Sequence, residues 1–355
     1  MSDLPAAPSA HGGSAPPAGH RPVRDRYDVV VVGGGPAGLA GALCLARSRR
    51  TVLVVDAGSP RNDPAEHVHD YLGRDGDPPA ALLADGREEV GRHGGQCLAG
   101  TVVSAERLDL PPGGSDDAGF RVRLEDGRSV LARRLLLTSG LVDELPDVPG
   151  LAERWGRDVI HCPYCHGWEW RDQPLAVLGT GPTAVQQALL FRQWSADVTF
   201  VRHTAPEPGV EERERMAARD VAEVTGEASA VEVAGDRITG LRLVSGELVP
   251  CRAVVVVPRF TVRSGLIDSL GLETEEVRTG GHVEGDHIPS APTGATGVPG
   301  VYVAGNVTDL HAQVLAAAAA GLRTATAINA DLLEEDLRRA VADRAAPTTP
   351  GRAGP

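Results

Sequence analysis

Two cysteines separated by two residues are the feature of this sequence best suited to chemistry. Cys162 and Cys165 stand in the stretch HCPYCH, residues 161–166. Sulfurs at this spacing can form a disulfide, and one thiolate can attack another disulfide while its neighbour waits to resolve the mixed disulfide. Cys162 is placed where the N-terminus of a following helix would lower the pKa of its thiol. The spacing predicts a redox-active pair.

Histidines flank this pair on both sides. An imidazole changes its charge near neutral pH, so His161 or His166 can carry a proton during thiol exchange. We expect one of the two to be the acid or base, with a slight preference for His161, while the other is a hydrogen-bonded neighbour. Tyr164, Trp168 and Trp170 lie close by in a chain that is only 3% aromatic. They either line a pocket for a small flat substrate or pack in the core.

The cysteine pair has two alternative roles. A zinc site would need four ligands around one tetrahedral ion, which four residues crowded into a hexapeptide can hardly supply, and no second CxxC exists. We therefore predict no metal. A structural disulfide without redox function is the other alternative. The remaining cysteines, Cys44, Cys97 and Cys251, stand alone and are interpreted as small buried hydrophobes.

A glycine-rich turn near the start of the chain predicts a nucleotide site. Residues 27–32 form a β-branched run that leads into GGGPAG, residues 33–38, and then into a helical pattern. Glycines at such a turn allow a pyrophosphate to approach the backbone at the helix N-terminus, and an acidic residue ending the next strand accepts a ribose hydroxyl. The residues assigned to this site are Gly33, Gly35, Pro36, Ala37, Gly38 and Asp56.

The other apolar segments predict an α/β protein. A second strand, glycine turn and helix begin at residue 174, and a hairpin is expected over 119–124 and 129–137. Later strands are expected at 238–243, 252–257 and 300–305, before a long helix over 312–332. We predict two Rossmann-like three-layer (ββα) nucleotide-binding domains, the second inserted in the first. The first comprises 27–143 and 260–340, and the insertion, 144–259, is an NAD(P)-type domain carrying the CxxC.

Composition limits the classes of partner. With 355 residues, the chain has room for about two domains. Its net charge of −13 disfavours nucleic acid and anionic membranes, and the absence of lysine excludes Schiff-base chemistry on this chain. No apolar run is long enough to span a bilayer. Residues 1–26 lack a secretory signal and are expected to be a disordered arm, and 345–355 a flexible tail. We expect a cytoplasmic protein.

Taken in order, the first glycine turn, the CxxC and the second glycine turn resemble the low-molecular-weight thioredoxin reductase family over residues 27 to about 335. Thr138 and Gly140 stand in a segment similar to that family's Ala-Thr-Gly. Gly305 and Asn306 belong to a segment similar to the one that reaches the flavin ribityl chain. Gln313 and Val314 fall where the family's last helix begins against the isoalloxazine ring. The resemblance implies bound FAD and a homodimer whose partner chain helps to form the pocket.

Three departures from that family change the expected activity. Residues 201–208 contain only Arg202 where NADPH-using members carry an arginine-rich segment, and no acid ends the preceding strand to hold an NAD ribose. Nicotinamide use is therefore doubtful. His166 replaces the usual acid after the CxxC. Asn306 replaces an aspartate, and its amide can still hydrogen-bond a ribityl hydroxyl.

These departures, together with the histidine before the CxxC, look like the branch of gliotoxin- and holomycin-pathway dithiol oxidases. Arg61 and Asn62, which follow Asp56, also resemble this branch and are expected near the flavin and the cysteines. The resemblance implies that a small-molecule dithiol is oxidised to a disulfide, with electrons passing through the CxxC and FAD to molecular oxygen. The alternatives are an NAD(P)H-dependent thioredoxin or disulfide reductase and a non-catalytic redox-sensing flavoprotein.

Overall fold

A computed structural model describes residues 24–108 and 119–345. Almost all of the arm predicted at 1–26 and the tail predicted at 345–355 lies outside these residues. Arg26 already begins the first strand, and Ala345 ends the last helix. Among the described residues, no helix combines the length and the apolar character needed to cross a membrane.

The described strands are, in chain order, β1 Arg26–Val32, β2 Val52–Asp56, β3 Gln96–Ala99, β4 Val102–Arg107, β5 Phe120–Leu124, β6 Ser129–Leu137, β7 Leu141–Glu144, β8 Val159–Ile160, β9 Leu175–Leu178, β10 Val198–Arg202, β11 Ala222–Thr225, β12 Ala228–Ala234, β13 Arg237–Leu243, β14 Leu248–Pro250, β15 Ala253–Val255, β16 Arg259–Val262, β17 Glu275–Thr279, β18 His282–His287 and β19 Val301–Val303. The described α-helices are α1 Pro36–Arg47, α2 Pro79–Arg92, α3 Leu151–Arg154, α4 Pro163–His166, α5 Ala184–Phe191, α6 Val210–Ala217, α7 Ser264–Ser269 and α8 Val314–Ala345.

The larger sheet has the strand order β3-β2-β1-β6-β5-β4, and β19 pairs with β6. Its central strands β1, β2 and β6 run parallel, and the valines of β1 are buried on both faces of the sheet. Near-continuous apolar runs are typical of parallel strands covered on both sides. Helices α1 and α8 cross closely on one face, where a Cβ on Gly321 would overlap the backbone of Ala37. The predicted hairpin over 119–137 is confirmed by the antiparallel pairing of β5 with β6.

The second sheet, β11-β10-β9-β15-β8, is parallel throughout. Every residue of β9 is buried, and β9 leads through residues 179–183 into α5, as the second β-α-β pattern predicts. A smaller antiparallel sheet, β12-β13-β14, covers one face of it with apolar residues. The predicted α/β class with two Rossmann-like units is confirmed.

The chain passes between the two parallel sheets through a pair of adjacent strands. Strands β7 and β16 run antiparallel, with Leu141 opposite Val262 and Glu144 opposite Arg259. The hairpin of β17 and β18 extends this pair into a four-stranded sheet. The boundaries expected near 143 and 260 both fall in this strand pair, which therefore lies beside both parallel sheets.

The last helix is longer than the sequence predicts, because it runs to Ala345 rather than ending near residue 332. Its polar second half is held by ion pairs to β6. Arg134 Nε lies 2.6 Å from Asp331 Oδ2, and Arg133 Nη2 lies 2.6 Å from Asp336 Oδ1. These arginines are nearly buried, so their contacts are shielded from solvent and stabilise the helix beyond its apolar stripe.

Candidate active site

A cavity of about 900 Å³ lies between the two parallel sheets. Residues from both Rossmann-like units line it, together with the loop that precedes α8. The sequence-predicted site residues that line it are Gly33, Gly35, Pro36, Ala37, Asp56, Arg61, Asn62, Thr138, Gly140, His161, Cys162, Cys165, His166, Gly305, Asn306, Gln313 and Val314. Gly38 is behind the wall. A single cavity therefore joins the first glycine turn to the cysteine pair.

The first glycine turn forms one end of the cavity. Gly33 has φ +105°, and a Cβ there would overlap the carbonyl of Thr138. Gly38 supports the turn from behind, because a Cβ on it would overlap the carbonyl of Gly33. In contrast, a Cβ on Gly35 would meet no atom within 4 Å and would project into the cavity. The N-terminus of α1 thus presents open space to an anion, as pyrophosphate binding requires.

Two polar side chains complete this end of the cavity. The Thr138 hydroxyl lies 3.0 Å from the carbonyl oxygen of Val32 and 2.9 Å from that of Gly33, so it can donate to either and ties β6 to the turn. Asp56 is the last residue of β2, and its Oδ1 accepts from the amide of Gly58 at 3.3 Å. Its carboxylate faces the cavity, where a ribose hydroxyl can donate to it.

Cys162 and Cys165 form a disulfide at the opposite end of the cavity, with their Cα atoms 5.2 Å apart. Cys162 has extended backbone angles and is the N-cap of the short helix α4, and Pro163 occupies the first helical position. Proline suits that position because the missing N–H would be unpaired there. The Cys165 amide donates to Cys162 Sγ at 3.2 Å. This hydrogen bond would stabilise a thiolate on Cys162 after the disulfide opens.

Cys165 is the sulfur that faces the last helix. Gln313 Nε2 donates to Cys165 Sγ at 3.9 Å, and Gln313 immediately precedes α8. The loop before α8 is held by Asn306, whose amide nitrogen donates to the carbonyls of Asp309 at 3.0 Å and Ala312 at 2.9 Å. An aspartate at 306 could not make these donations. Asn306 therefore fixes the loop that brings Gln313 to the cysteine pair.

His161 is held in one orientation by its backbone and ring contacts. Its Nδ1 lies 3.1 Å from the carbonyl oxygen of Val256, which can only accept, so Nδ1 carries the proton and Nε2 is the free basic nitrogen. The ring packs edge-to-face on Phe260 at 5.3 Å. Burial lowers the pKa of His161 to about 4, and the positive charge of Arg61 acts in the same direction. His161 is thus neutral at pH 7.

His166 is less constrained by hydrogen bonds. Its Nδ1 is buried and has no hydrogen-bonding partner within residues 24–108 and 119–345. Burial lowers the pKa of His166, while the negative charge of Glu169 opposes this effect. A buried polar atom without a partner is destabilising. An imidazole kept in such a place beside the cysteine pair suits a transient partner such as a substrate thiol.

Arg61 acts as a clamp between elements of the cavity wall. Its guanidinium makes a bidentate pair with Asp143, at 2.7 and 2.9 Å, and Nη1 donates to the carbonyl of Leu310 at 3.2 Å. It also lies 4.9 Å from the centre of the Phe260 ring. Because these contacts occupy the guanidinium, its main effect is to fix the segment that carries Asn62 against β7 and β16.

Three further histidines line the cavity and were not identified from the sequence. His311 packs edge-to-face on Phe260 at 5.6 Å, and its Nε2 lies 3.3 Å from Glu284 Oε2. His67 and His69 belong to the connection between β2 and α2. The alternation of His67 and His69 was the available signal, but nothing local shows that this connection crosses the cysteine pair.

The aromatic residues near the pair divide between the two expected roles. Tyr164 lines the cavity, is 58% exposed and contacts the Trp194 ring edge-to-face at 5.8 Å. Trp168 is 65% exposed and lies under the guanidinium of Arg171 at 4.2 Å. Trp170 packs against the core of the second sheet. Tyr164 is therefore the aromatic residue best placed to touch a substrate.

The second glycine turn is covered by the chain itself. A Cβ on Gly181 would lie 2.9 Å from Nε2 of His282, so the imidazole at the start of β18 rests on this turn. Arg202, which alone could hold a 2′-phosphate, faces Glu207 with 3.8 Å between Nη1 and Oε2. In this arrangement the turn lacks the open space found at Gly35. Within the described residues, no cluster of three histidine, cysteine or acidic side chains could hold a metal ion.

The family model described as pyridine nucleotide-disulphide oxidoreductase matches residues 27–322, and the chain belongs to this family. Thioredoxin reductase tcpT of Claviceps purpurea is 30% identical over 325 residues, 86% of this chain and 95% of that protein. A probable thioredoxin reductase of Arthroderma benhamiae is 39% identical over 154 residues, so the match spans 43% of this chain but only 38% of that protein. The crystal structure of HlmI has 45% sequence identity and a TM-score of 0.81, covering 90% of this chain and 96% of that one.

The fold, the cavity and these similarities define an oxidoreductase with a flavin cofactor. Cys162 and Cys165 form a disulfide in this cavity, and the similarities support a disulfide redox role for the protein. The chain is thus a thioredoxin reductase-like flavoprotein of the pyridine nucleotide-disulphide oxidoreductase family.

Proposed function

We propose that this protein is an FAD-dependent dithiol oxidase that forms an intramolecular disulfide in a small-molecule natural product, with molecular oxygen as the final acceptor. The observation that carries the proposal is the Cys162–Cys165 disulfide in a cavity shared with the first glycine turn, while the second glycine turn is covered by His282. The contact of His282 with Gly181, at the turn where a nicotinamide nucleotide would bind, supports entry of electrons from a dithiol. The resemblance to dithiol oxidases supports this direction.

The cavity fits FAD at both ends. The open space at Gly35 and the carboxylate of Asp56 suit the pyrophosphate and the adenosine ribose. Gly305 and Asn306 line the cavity between that end and the cysteine pair, where the ribityl chain would lie. When bound, FAD supplies the two-electron oxidation of the cysteine pair and passes the electrons to oxygen, giving hydrogen peroxide.

The first chemical step opens the protein disulfide. A substrate thiol loses its proton to His166 or His161, and its sulfur attacks Cys162 Sγ. A substrate–Cys162 disulfide forms, the Cys162–Cys165 bond breaks, and Cys165 leaves as a thiolate. Gln313, which donates to that sulfur, stabilises the developing charge.

The second step releases the product. The second substrate thiol loses its proton, and its thiolate attacks the substrate sulfur of the mixed disulfide. The intramolecular disulfide forms as Cys162 leaves as a thiolate, stabilised by the amide of Cys165. Two electrons have then moved to the cysteine pair and two protons to the bases. With oxygen as acceptor, the sum is one dithiol and one O₂ giving one disulfide and one H₂O₂.

The competing function is an NAD(P)H-dependent thioredoxin or disulfide reductase, which the names of the relatives favour. Purified holoenzyme should oxidise dithiothreitol in air without NADPH and produce one peroxide per disulfide. Anaerobic mixing should bleach the flavin with dithiothreitol and not with NADPH. Disulfide reduction that strictly requires NADPH would overturn the proposal.

We also propose that the protein is a homodimer in the cytoplasm. Helix α8 exposes large apolar side chains along its length, namely Leu315, Leu322, Leu333, Leu337 and Val341. A second copy would cover such residues. Cys44, Cys97 and Cys251 are free thiols, which suits a reducing compartment. Of the three, Cys251 is buried as expected, whereas the expected burial is wrong for the exposed Cys97 and only partial for Cys44. Analytical ultracentrifugation tests the dimer: the unmodified protein should sediment as a dimer and Leu333→Asp as a monomer. If the unmodified protein is also a monomer, the proposal is contradicted.

A further inference from the structure

A second cavity, of about 640 Å³, adjoins the cavity that holds the cysteine pair. His67, His69, Gly156 and His166 line both cavities and so form the wall between them. His166 faces the cysteine pair from this wall, and its Nδ1 has no hydrogen-bonding partner in the described part of the chain. The second cavity therefore offers a route by which a proton taken up by His166 can reach the surface.

His69 lies between two carboxylates on that way out. Its Nε2 is 3.4 Å from Glu169 Oε1, and its Nδ1 is 3.4 Å from Asp75 Oδ1. Asp75 is the most exposed of the three side chains, at 66%, whereas Glu169 is 39% and His69 is 20% exposed, so Asp75 is the end that opens to solvent. The imidazole of His69 therefore links the carboxylate of Glu169, through Nε2, to the more exposed carboxylate of Asp75, through Nδ1.

Glu169 is also coupled to His166. It follows His166 by one turn of chain, and its negative charge raises the pKa of His166 against the opposing effects of burial and of His69. Glu169 lines the second cavity beside His166. Because both side chains line this cavity, a water molecule can pass a proton from His166 to the Glu169 carboxylate.

We propose that Glu169 and His69 form a proton relay that carries the substrate thiol proton from His166 to the surface at Asp75. The inference rests on the proposed function. Each substrate thiol gives one proton to His166, Glu169 takes it, and His69 passes it on by accepting at Nε2 and releasing from Nδ1. The electrons stay with the sulfurs. Both act on the substrate proton only through His166, so both are positioning residues.

The test is the rate at which dithiothreitol reduces the bound flavin of the holoenzyme without oxygen, measured by stopped-flow absorbance. Glu169→Gln and His69→Gln should slow this reduction by about a hundredfold, the lower end of the range for loss of acid–base assistance. Glu66→Gln is the matched control, because Glu66 also lines the second cavity, whereas the carboxylates paired with His69 in the described part of the chain are those of Glu169 and Asp75. It should leave the rate unchanged.

Chemical rescue distinguishes a relay from a purely structural effect. Formate added to Glu169→Ala and imidazole added to His69→Ala should restore most of the lost rate, because small molecules can carry the proton. Unchanged rates in both glutamine variants, or slow alanine variants without rescue, would overturn the relay. If dithiothreitol fails to reduce the flavin of the unmodified protein, the proposed function fails instead.

Discussion

The amide of Gln313 donates a hydrogen bond to the sulfur of Cys165 across 3.9 Å. This contact joins the redox pair of one Rossmann-like unit to the residue before α8, which packs on the other unit. It also distinguishes the two sulfurs. Cys165 faces the start of α8, while Cys162 caps α4 and accepts from a backbone amide.

Replacing Gln313 with leucine should slow electron transfer from the cysteine pair without unfolding the protein. The lost hydrogen bond to a developing thiolate is worth on the order of 1 to 2 kcal/mol, which is about a fivefold to thirtyfold decrease in rate. Anaerobic flavin bleaching by dithiothreitol measures it. Gln193→Leu, at an exposed position after α5, is the control. Equal rates in both variants would show that the contact has no role.

Replacing Cys165 with serine should abolish turnover and trap a mixed disulfide on Cys162. Cys162 can still attack the linear disulfide of 2-mercaptoethanol and release one free thiol, and the bound half has no second thiol and no neighbouring cysteine to resolve it. Intact-protein mass spectrometry should then detect one covalent adduct, which Cys162→Ser lacks. Cys97→Ser, which alters an exposed free thiol, should retain full activity. An adduct on Cys162→Ser instead would show that Cys165, and not Cys162, is the sulfur that attacks.

His161 should make the protein less stable in mild acid. Its pKa is lowered to about 4 in the folded state, below the ordinary value of 6.5, so the stability it contributes is present above pH 6.5. That contribution decreases as the pH falls towards 4, by a total on the order of 3 kcal/mol. Urea unfolding between pH 7.5 and 4.5 measures it. His161→Gln should lose less stability over this range, and parallel curves would refute the assignment.

Arg202 should be dispensable for dithiol oxidation. It is the only arginine where a 2′-phosphate would bind, and it already faces Glu207. Arg202→Ala should therefore leave the aerobic rate with dithiothreitol and the peroxide yield unchanged. In a reductase, the same substitution would raise the KM for NADPH, by about tenfold for one lost charge-assisted contact. That rise would favour the competing function.

Several features could be predicted from local sequence, because local forces decide them. The valine run of β1, the glycine turn and the helix after it follow from strand preference, positive φ at Gly33 and close packing at Gly38. Cys162 and Cys165 are close in the chain, so their pairing depends on a single turn. The α/β class follows from repeated units of this kind.

Other features depend on residues distant in sequence. The second half of α8 carries several acidic residues, and Asp331 and Asp336 pair with Arg134 and Arg133 of a strand far earlier in the chain. Likewise, the sequence could not show that His282 rests on Gly181 or that His69 lies beside Glu169. The sequence alone predicted the cysteine pair and the first glycine turn, which the structure places in one cavity. Tertiary structure decided which charges and rings surround them, because those contacts arise only when the two sheets and their connecting strands pack together.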